Sequence, residues 1–493
     1  MLKLHKQSSK RLPKNQEITY KVIPLPSEMC SNEVFAVLSD LPWSMWLDSC
    51  DGEHVDSRFD IMVWDPVVTL STSSSQDEKA PNQKPKLYSQ TTITNKFKNS
   101  SITSTEDPLH LLNQAIDETF ININLSPEID SPFKGGAVGY FAYDLGREFE
   151  VLPELCEQDI NLPNMAVGIY TQAIIFDNQS NTFSLLCIEN ERASTEAFLF
   201  KLLKSKAAEN SNFVLNSDWQ SNMTESEYAE KFTQVHNYIL AGDCYQINLA
   251  QRFTASYSGN EFEAYQTLRK ENNGPFSAFI RLEDSAILSV SPERFLQLNN
   301  QQVQSKPIKG TLPRHTSPAL DKQAAETLQL STKDRAENLM IVDLLRNDIS
   351  KVCEAGSVVV PKLFYIESFP AVHHLVSTVE GKLSSEFTAA DLLRGAFPGG
   401  SITGAPKIRA MEIIEELEPN RRSVYCGSIG YISACGNMDT SITIRTLICE
   451  QNNIHCWAGG GLVADSVLAN EYQETFDKLK KITPVLKNNF YNN

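Results

Sequence analysis

The 493-residue sequence lacks the marks of an exported, membrane-spanning or nucleic-acid-binding protein. No run approaches the ~18 apolar residues that cross a bilayer, although 41% of the residues are hydrophobic. Ten cysteines lie singly between Cys30 and Cys456, with no Cys-x-x-Cys pair and no Cys/His grouping at metal spacing. That pattern fits reduced thiols in the cytoplasm, with neither a disulfide framework nor a zinc site. Basic charge is in deficit: 44 Lys and Arg against 61 Asp and Glu leave a formal charge of -17, which repels a polyphosphate backbone unless cations gather on one face. The only basic cluster, Lys3, Lys6, Lys10, Arg11 and Lys14, has no adjoining apolar core of a signal peptide and reads as a frayed terminus. The expectation is a cytoplasmic protein that engages neither nucleic acid nor membrane.

Two polar stretches punctuate the chain, Ser71 to Lys86 and Lys204 to Asn222. The first reads as a surface loop and the second as a seam, giving segments 1–205 and 222–488. Before the seam, Phe59 to Asp65, Met165 to Tyr170 and Ala173 to Phe176 alternate or run apolar as strands do. After it, Thr224-Glu-Ser-Glu227 has capping-box spacing. Tyr228, Phe232, Val235 and Ile239 then recur at helical intervals up to Gly242, a left-handed stop. One helix is expected over Lys322 to Val352, and others over Ile408 to Leu417 and from about Asn470. Strands are expected at Ser357 to Pro361, His374 to Glu380, Gly427 to Ile432, Ser441 to Cys449 and Ile454 to Ala458.

Four features of the second segment carry chemistry. Gly459, Gly460 and Gly461 follow a strand and read either as a tight turn or as backbone closing on an anion. Glu471, Glu474 and Lys478 share one helix face, either as a solvated acidic face or as oxygen ligands for a hard cation such as Mg²⁺. Glu337 lies beside the buried side of its helix, where a carboxylate wants a partner. The run Phe397-Pro-Gly-Gly-Ser-Ile-Thr-Gly-Ala-Pro-Lys407, with Gly404 within it, leads into a helix and can present N–H groups to a substrate anion. It lacks the Gly-Lys-Ser/Thr ending of a P-loop, so nucleotide binding is discounted.

These segments resemble a known family. Pro307-Ile-Lys-Gly-Thr-Leu-Pro-Arg314, Ala336-Glu-Asn-Leu-Met340, His373-His-Leu-Val-Ser377, Pro398 to Lys407 and Asp465 to Lys478 stand in the order seen in chorismate-using enzymes. That family includes the anthranilate, aminodeoxychorismate, isochorismate and salicylate synthases. The resemblance implies an α+β fold of two facing antiparallel β-sheets wrapped by helices, both segments intertwining in one body. It implies Mg²⁺ held by Glu337 and Glu474, with Glu471 direct or through water, and His374 as the active-site histidine. Chorismate would be held by Gly310, Thr311, Gly404, Tyr425, Arg445, Gly459, Gly460, Gly461 and Lys478, with Arg445 and Lys478 set for its carboxylates.

Lys309 selects among the branches, because anthranilate synthases resemble this motif but carry a small residue there, whereas the amination branch carries lysine. The resemblance then implies that a neutral Lys309 amine attacks C2 of chorismate while Glu293, in Ser291-Pro-Glu-Arg-Phe295, protonates the departing C4 hydroxyl. Ammonia adds at C4 and expels the lysine. Isochorismate and salicylate synthases activate water with a lysine where this chain has Gln246, and a neutral amide is a poor base. The alternatives are an anthranilate synthase and, from another class, a non-catalytic tryptophan-binding protein. Leu41-Pro-Trp-Ser-Met-Trp-Leu-Asp-Ser49 resembles a segment that helps form a tryptophan pocket in the family. Leu41, Pro42, Trp43 and Ser49 are its candidate residues, and an amphipathic core strand is the competing reading. No segment supplies a glutaminase nucleophile elbow, so ammonia is expected from a separate glutamine amidotransferase subunit or from solution.

Overall fold

A computed structural model describes residues 16–26, 29–50, 56–76, 87–126, 130–204, 212–368 and 372–491. The basic N-terminal cluster and residues 77–86 and 205–211 lie outside them. Among the described residues two large sheets carry the fold, one of fourteen strands and one of twelve. Pairing is antiparallel throughout except at one edge, where Gln16–Val22 runs parallel to Ile123–Leu125.

Sequence order is interleaved in both sheets. Met45–Asp48 pairs with Phe276–Arg281, so residues about 230 apart in the chain are bonded neighbours in the larger sheet. In the smaller sheet Gly136–Phe141 pairs along its length with Ser428–Ser433, Gly136 opposite Ser433 and Phe141 opposite Ser428. The seam is therefore a place where the chain enters a shared sheet: Val214–Leu215 and Gln220–Ser221 both pair with the long strand Gln246–Ser258.

Burial explains the layers. Apolar residues of both sheets, among them Ile61, Val63, Leu70, Val138, Ile169, Ile287 and Ile429, form one apolar core, to which the smaller sheet contributes both of its faces. A second core lies on the outer side of the larger sheet, where Phe35, Phe262, Tyr265 and Leu268 of the covering helices meet Trp46, Phe279 and Leu288. A third joins helices Glu225–Ala241 and Lys407–Leu417 to Ile247, Leu249 and Leu462. The Thr224 capping box and left-handed Gly242 (φ 83°) form as the sequence requires.

Four expectations change. The helix expected over Lys322 to Val352 is two, Pro318–Leu330 and Thr332–Ser350. Ser331 leaves the helical region and its hydroxyl accepts from the Asp334 amide, capping the second helix. The strand expected over Ser441 to Cys449 is also two, Met438–Ile442 in the smaller sheet and Thr446–Glu450 in the larger. Ser71 to Gln76, read as loop, lies within strand Val68–Gln76, whose Thr72 pairs across with Thr91. The three glycines do not follow a strand; they lie inside Asn453–Leu462, paired with Asn248, Leu249 and Ala250.

Candidate active site

Two crossings between the sheets build the site. The chain leaves the larger sheet at Ser291 and enters the smaller at Arg294, with Pro292 and Glu293 between. It returns from Ile442 to Thr446 through Thr443, Ile444 and Arg445, and Arg445 takes a left-handed φ of 51°. The crossings are tied together, since the Ile442 amide donates to the Glu293 carbonyl at 3.1 Å and the Val290 amide to the Arg445 carbonyl at 3.1 Å. A carboxyl and a guanidinium are thus brought near each other where neither strand ladder claims them.

Glu293 is 8% exposed. Burial pushes its carboxyl up to about 7, against the opposing pull of Lys309, a hydrogen bond from Ser401, Lys478 and Arg445. Lys309 sits in strand Ile308–Pro313 at an irregularity in its pairing with Val372–Lys382. It is partly accessible as a residue, yet its amine is desolvated enough to lower its pKa, even with Glu337 and Glu293 nearby favouring the charged form. Its Nζ donates to the Ser401 carbonyl at 3.4 Å. Gly310 is required beside it: φ is 80°, and a Cβ would stand 2.8 Å from the Asp334 carboxyl. Thr311 lies opposite His374 in the ladder, and its hydroxyl meets His374 Nδ1 at 2.8 Å.

Helix Thr332–Ser350 brings Glu337 to this place. Next to it, the fully buried Asn338 donates to the Pro307 carbonyl at 3.3 Å and receives the Ser377 hydroxyl, which pins the helix to the start of the Lys309 strand and to its neighbour Val372–Lys382. Burial raises the pKa of Glu337, with Lys309 opposing and Glu471 adding to the rise. Glu471 and Glu474 project from helix Leu468–Leu479 toward Gly460, where a Cβ would lie 3.1 Å from Glu471 Oε2 and 3.6 Å from Glu474 Oε1. The glycine run therefore serves close approach of carboxylates within a strand. Ser466 donates to Glu471 Oε1 at 2.7 Å, and burial raises the pKa of Glu471.

These three carboxylates suit a hard divalent ion by their chemistry, because they offer hard oxygen ligands and burial raises the pKa of Glu337 and Glu471. Among the described residues no group of three or more metal-binding side chains is close enough to cage an ion. Lys478 is shared between Glu474 Oε1 and the Gly459 carbonyl, both at 2.7 Å.

The Gly-rich run forms the wall between these groups. Gly404 and Ala405 pair with Ile247 and Gln246, and Gly404 (φ 145°) leaves no room for a Cβ against the Gln246 carbonyl. The Arg422 guanidinium, paired with Glu418 at 2.6 Å in full burial, donates to the Ile402 carbonyl at 2.9 Å. Tyr425 stacks on Trp457 with centroids 5.9 Å apart and planes 7° from parallel. Gln246 is fully buried, and neither atom of its amide has a partner. A Cβ on Gly461 would strike that amide. The sequence marks Gln246 only as standing where related enzymes place a water-activating lysine, and it leaves Ser401 unmarked within a run whose glycines point to the backbone.

The proposed tryptophan segment is dispersed. Leu41 packs against the outer core and Trp43 in the inter-sheet core. Trp43 Nε1 donates to Glu283 at 2.6 Å, and Pro42 precedes it in a turn. The Ser49 hydroxyl donates to Asp60 at 2.5 Å and accepts from Asn178. Trp46 is fully buried between Phe35, Phe262 and Tyr265. A cavity of about 440 Å³ lined by Asp56, Arg58, Arg294, Tyr431 and Asp439 contains none of the candidate residues.

Residues 44–484 match the family of chorismate binding enzymes. The chain is 54% identical over 453 residues to aminodeoxychorismate synthase component 1 of Escherichia coli, covering 92% of this chain and 95% of that one. It is 52% identical over 468 residues to the protein of that name from Salmonella typhimurium, covering 95% and 98%. Among solved structures, anthranilate synthase component I from Streptococcus pneumoniae superposes with a TM-score of 0.73 at 32% identity, covering 88% of this chain and 93% of that one. All ten cysteines are unpaired, and no helix among the described residues is long and apolar enough to cross a membrane.

Proposed function

The chain belongs to the chorismate-binding enzymes, and from that premise we propose that it aminates chorismate at C4 through a covalent Lys309 intermediate. It converts chorismate and ammonia to 4-amino-4-deoxychorismate and water, the reading that identity above 50% to component 1 of aminodeoxychorismate synthase supports. One observation carries the lysine route: Lys309 and Glu293 share one desolvated place, which favours a neutral amine and a protonated carboxyl together.

In this reading the Lys309 lone pair forms a bond to C2, the two conjugated ring double bonds each shift by one position toward C4, and the C4–O bond breaks. Glu293 gives its proton to the departing oxygen, which leaves as water. Ammonia then bonds to C4, the electron pair returns through the ring, and the C2–N bond breaks to restore the amine. The surplus proton of the added ammonia reprotonates Glu293. Arg445, Lys478 and the backbone near Gly404 and Gly459–Gly461 hold the substrate carboxylates, Gly310, Thr311 and Tyr425 hold the ring, and the Thr311 hydroxyl fixes the His374 ring. Gln246, a neutral amide, gives water no base.

Enzymes of this family generally require Mg²⁺; here Glu337 and Glu474, with Glu471, would hold it, and it would screen the anionic substrate from those carboxylates. The component 1 name of the relatives implies a companion subunit, which we assign as a glutamine amidotransferase supplying the ammonia. Segments 1–205 and 222–488 act as one body, and the unpaired thiols suit the cytoplasm. The Leu41–Ser49 segment is retained as a candidate tryptophan site.

The test is a product assay with chorismate, Mg²⁺ and an ammonium salt, read by mass spectrometry, on the wild type and Lys309→Ala. Aminodeoxychorismate from the wild type, abolished by chelation and restored by Mg²⁺, supports the reading. Anthranilate or isochorismate as product would overturn it.

A further inference from the structure

We propose that Ser401 is a positioning residue that sets the Lys309 amine and the Glu293 carboxyl at a fixed spacing, its backbone holding one and its hydroxyl the other. The inference rests on the amination reading above. The Ser401 carbonyl accepts from Lys309 Nζ at 3.4 Å, and its hydroxyl donates to Glu293 Oε1 at 3.3 Å. Among the described residues no other side chain is recorded in a hydrogen bond with the Glu293 carboxyl, and no other group with the Lys309 amine. Lys309 forms its bond at C2 as Glu293 protonates the oxygen leaving C4, so nucleophile and acid must address two positions of one small ring in a single event. A rigid residue touching both defines their separation before substrate arrives.

Ser401 is rigid for reasons outside the site. It lies in a short turn of 3-10 helix, Gly400–Ile402, packed so closely that a Cβ on Gly400 would strike Leu344 of the Glu337 helix. Gly399 stands against Phe295, two residues beyond Glu293. The Thr403 hydroxyl donates back to the Gly399 carbonyl at 3.0 Å, and the buried Arg422 holds the Ile402 carbonyl. Gly404 and Ala405 then join the larger sheet. Ser401 itself is 9% exposed, so water competes little for its hydroxyl.

The experiment uses the full chain with chorismate and Mg²⁺. Adduct formation on Lys309 is followed by intact-protein mass spectrometry without ammonium, and kcat and KM are measured with it, for the wild type, Ser401→Ala, Ser401→Cys and Ser401→Thr. Removing the hydroxyl leaves the carbonyl contact but frees Glu293 to turn. Ser401→Ala should lower kcat and the adduct rate together by about 10- to 100-fold, with KM for chorismate within about twofold of wild type. Ser401→Cys keeps the volume but donates weakly and should fall with it, while Ser401→Thr restores kcat to within about threefold. Unchanged kcat in Ser401→Ala and Ser401→Cys, or loss that threonine does not rescue, overturns the inference and leaves the amination reading standing. A wild type that makes no aminodeoxychorismate overturns both.

Discussion

Two buried polar clusters, one at the site and one beneath the Leu41–Ser49 segment, contain similar groups and treat them oppositely. Around Asp48 the chemistry is closed upon itself. Arg269 Nε at 2.6 Å and Nη2 at 3.1 Å, the Tyr265 hydroxyl at 2.7 Å and the Cys50 amide at 2.7 Å all converge on one fully buried carboxylate. Arg269 also lies over the Trp46 ring, 5.1 Å from its centroid. Around Glu293 and Lys309 the contacts are few and long, and Gln246 has an entirely unpartnered amide. Leaving buried polar groups unmet is costly, and a fold bears that cost where a ligand will supply the missing bonds. Burial of charge is thus shared by both clusters; the Asp48 carboxylate is fully met, although Trp46 Nε1 and one Asp60 oxygen nearby lack partners, whereas at the site a whole side-chain amide is left unmet.

The sharpest way to break this contrast is Lys309→Ala, expected to lower product formation on the order of 10⁴-fold or more, to abolish the covalent adduct, and to leave the denaturation midpoint near wild type. Glu293→Gln comes next, with kcat down by about 10³-fold. The general acid acts in its protonated form, and burial places its pKa at about 7. Wild-type kcat should therefore fall as pH rises through about 7, while the residual rate of the glutamine variant loses that limb; an unaltered pH profile would assign the limb to another group. In the closed cluster the expectation inverts: Asp48→Ala strands the Arg269 charge and should cost about 3–5 kcal/mol of stability, measured by denaturant titration, with kcat of the surviving folded enzyme unchanged. A comparable effect, seen only through pH, concerns Asp60, which burial, then Asp48, raises from 3.8 to about 7. Because the folded state binds its proton more tightly, wild-type stability should decline as pH rises from about 4 to about 7, and Asp60→Asn should flatten that decline.

What the sequence made legible follows from which forces are local. Capping at Thr224, the stop at Gly242 and the helix of Glu471 and Glu474 depend on neighbours a few residues away, and they appear where periodicity puts them. Lys309, Glu293 and Gly310 could be singled out because their motifs stand in family order. The crossing at Arg445 was not legible. Ser441 to Cys449 reads as one apolar strand, and only the presence of two sheets, each claiming one end, splits it. The glycine run was misplaced for a similar reason: its small residues answer to carboxylates on a helix and to the Gln246 side chain, which sequence proximity does not reveal. Ser401 hid inside a loop whose glycines invited attention to its backbone, and Ser331 ends a helix that composition alone would have continued.

Interleaving of the strands also sets a schedule for the nascent polypeptide. Gly136–Phe141 cannot acquire its partner Ser428–Ser433 until nearly 300 further residues have been polymerised, which at about 5–20 residues per second takes roughly 15–60 s. During that interval an apolar strand edge stays open on the ribosome, available to wrong partners. Release of the first 205 residues alone would make that exposure permanent, so the protein's hazard in the cell belongs to its synthesis, and chaperone demand should track translation rate more closely than the stability of the finished enzyme.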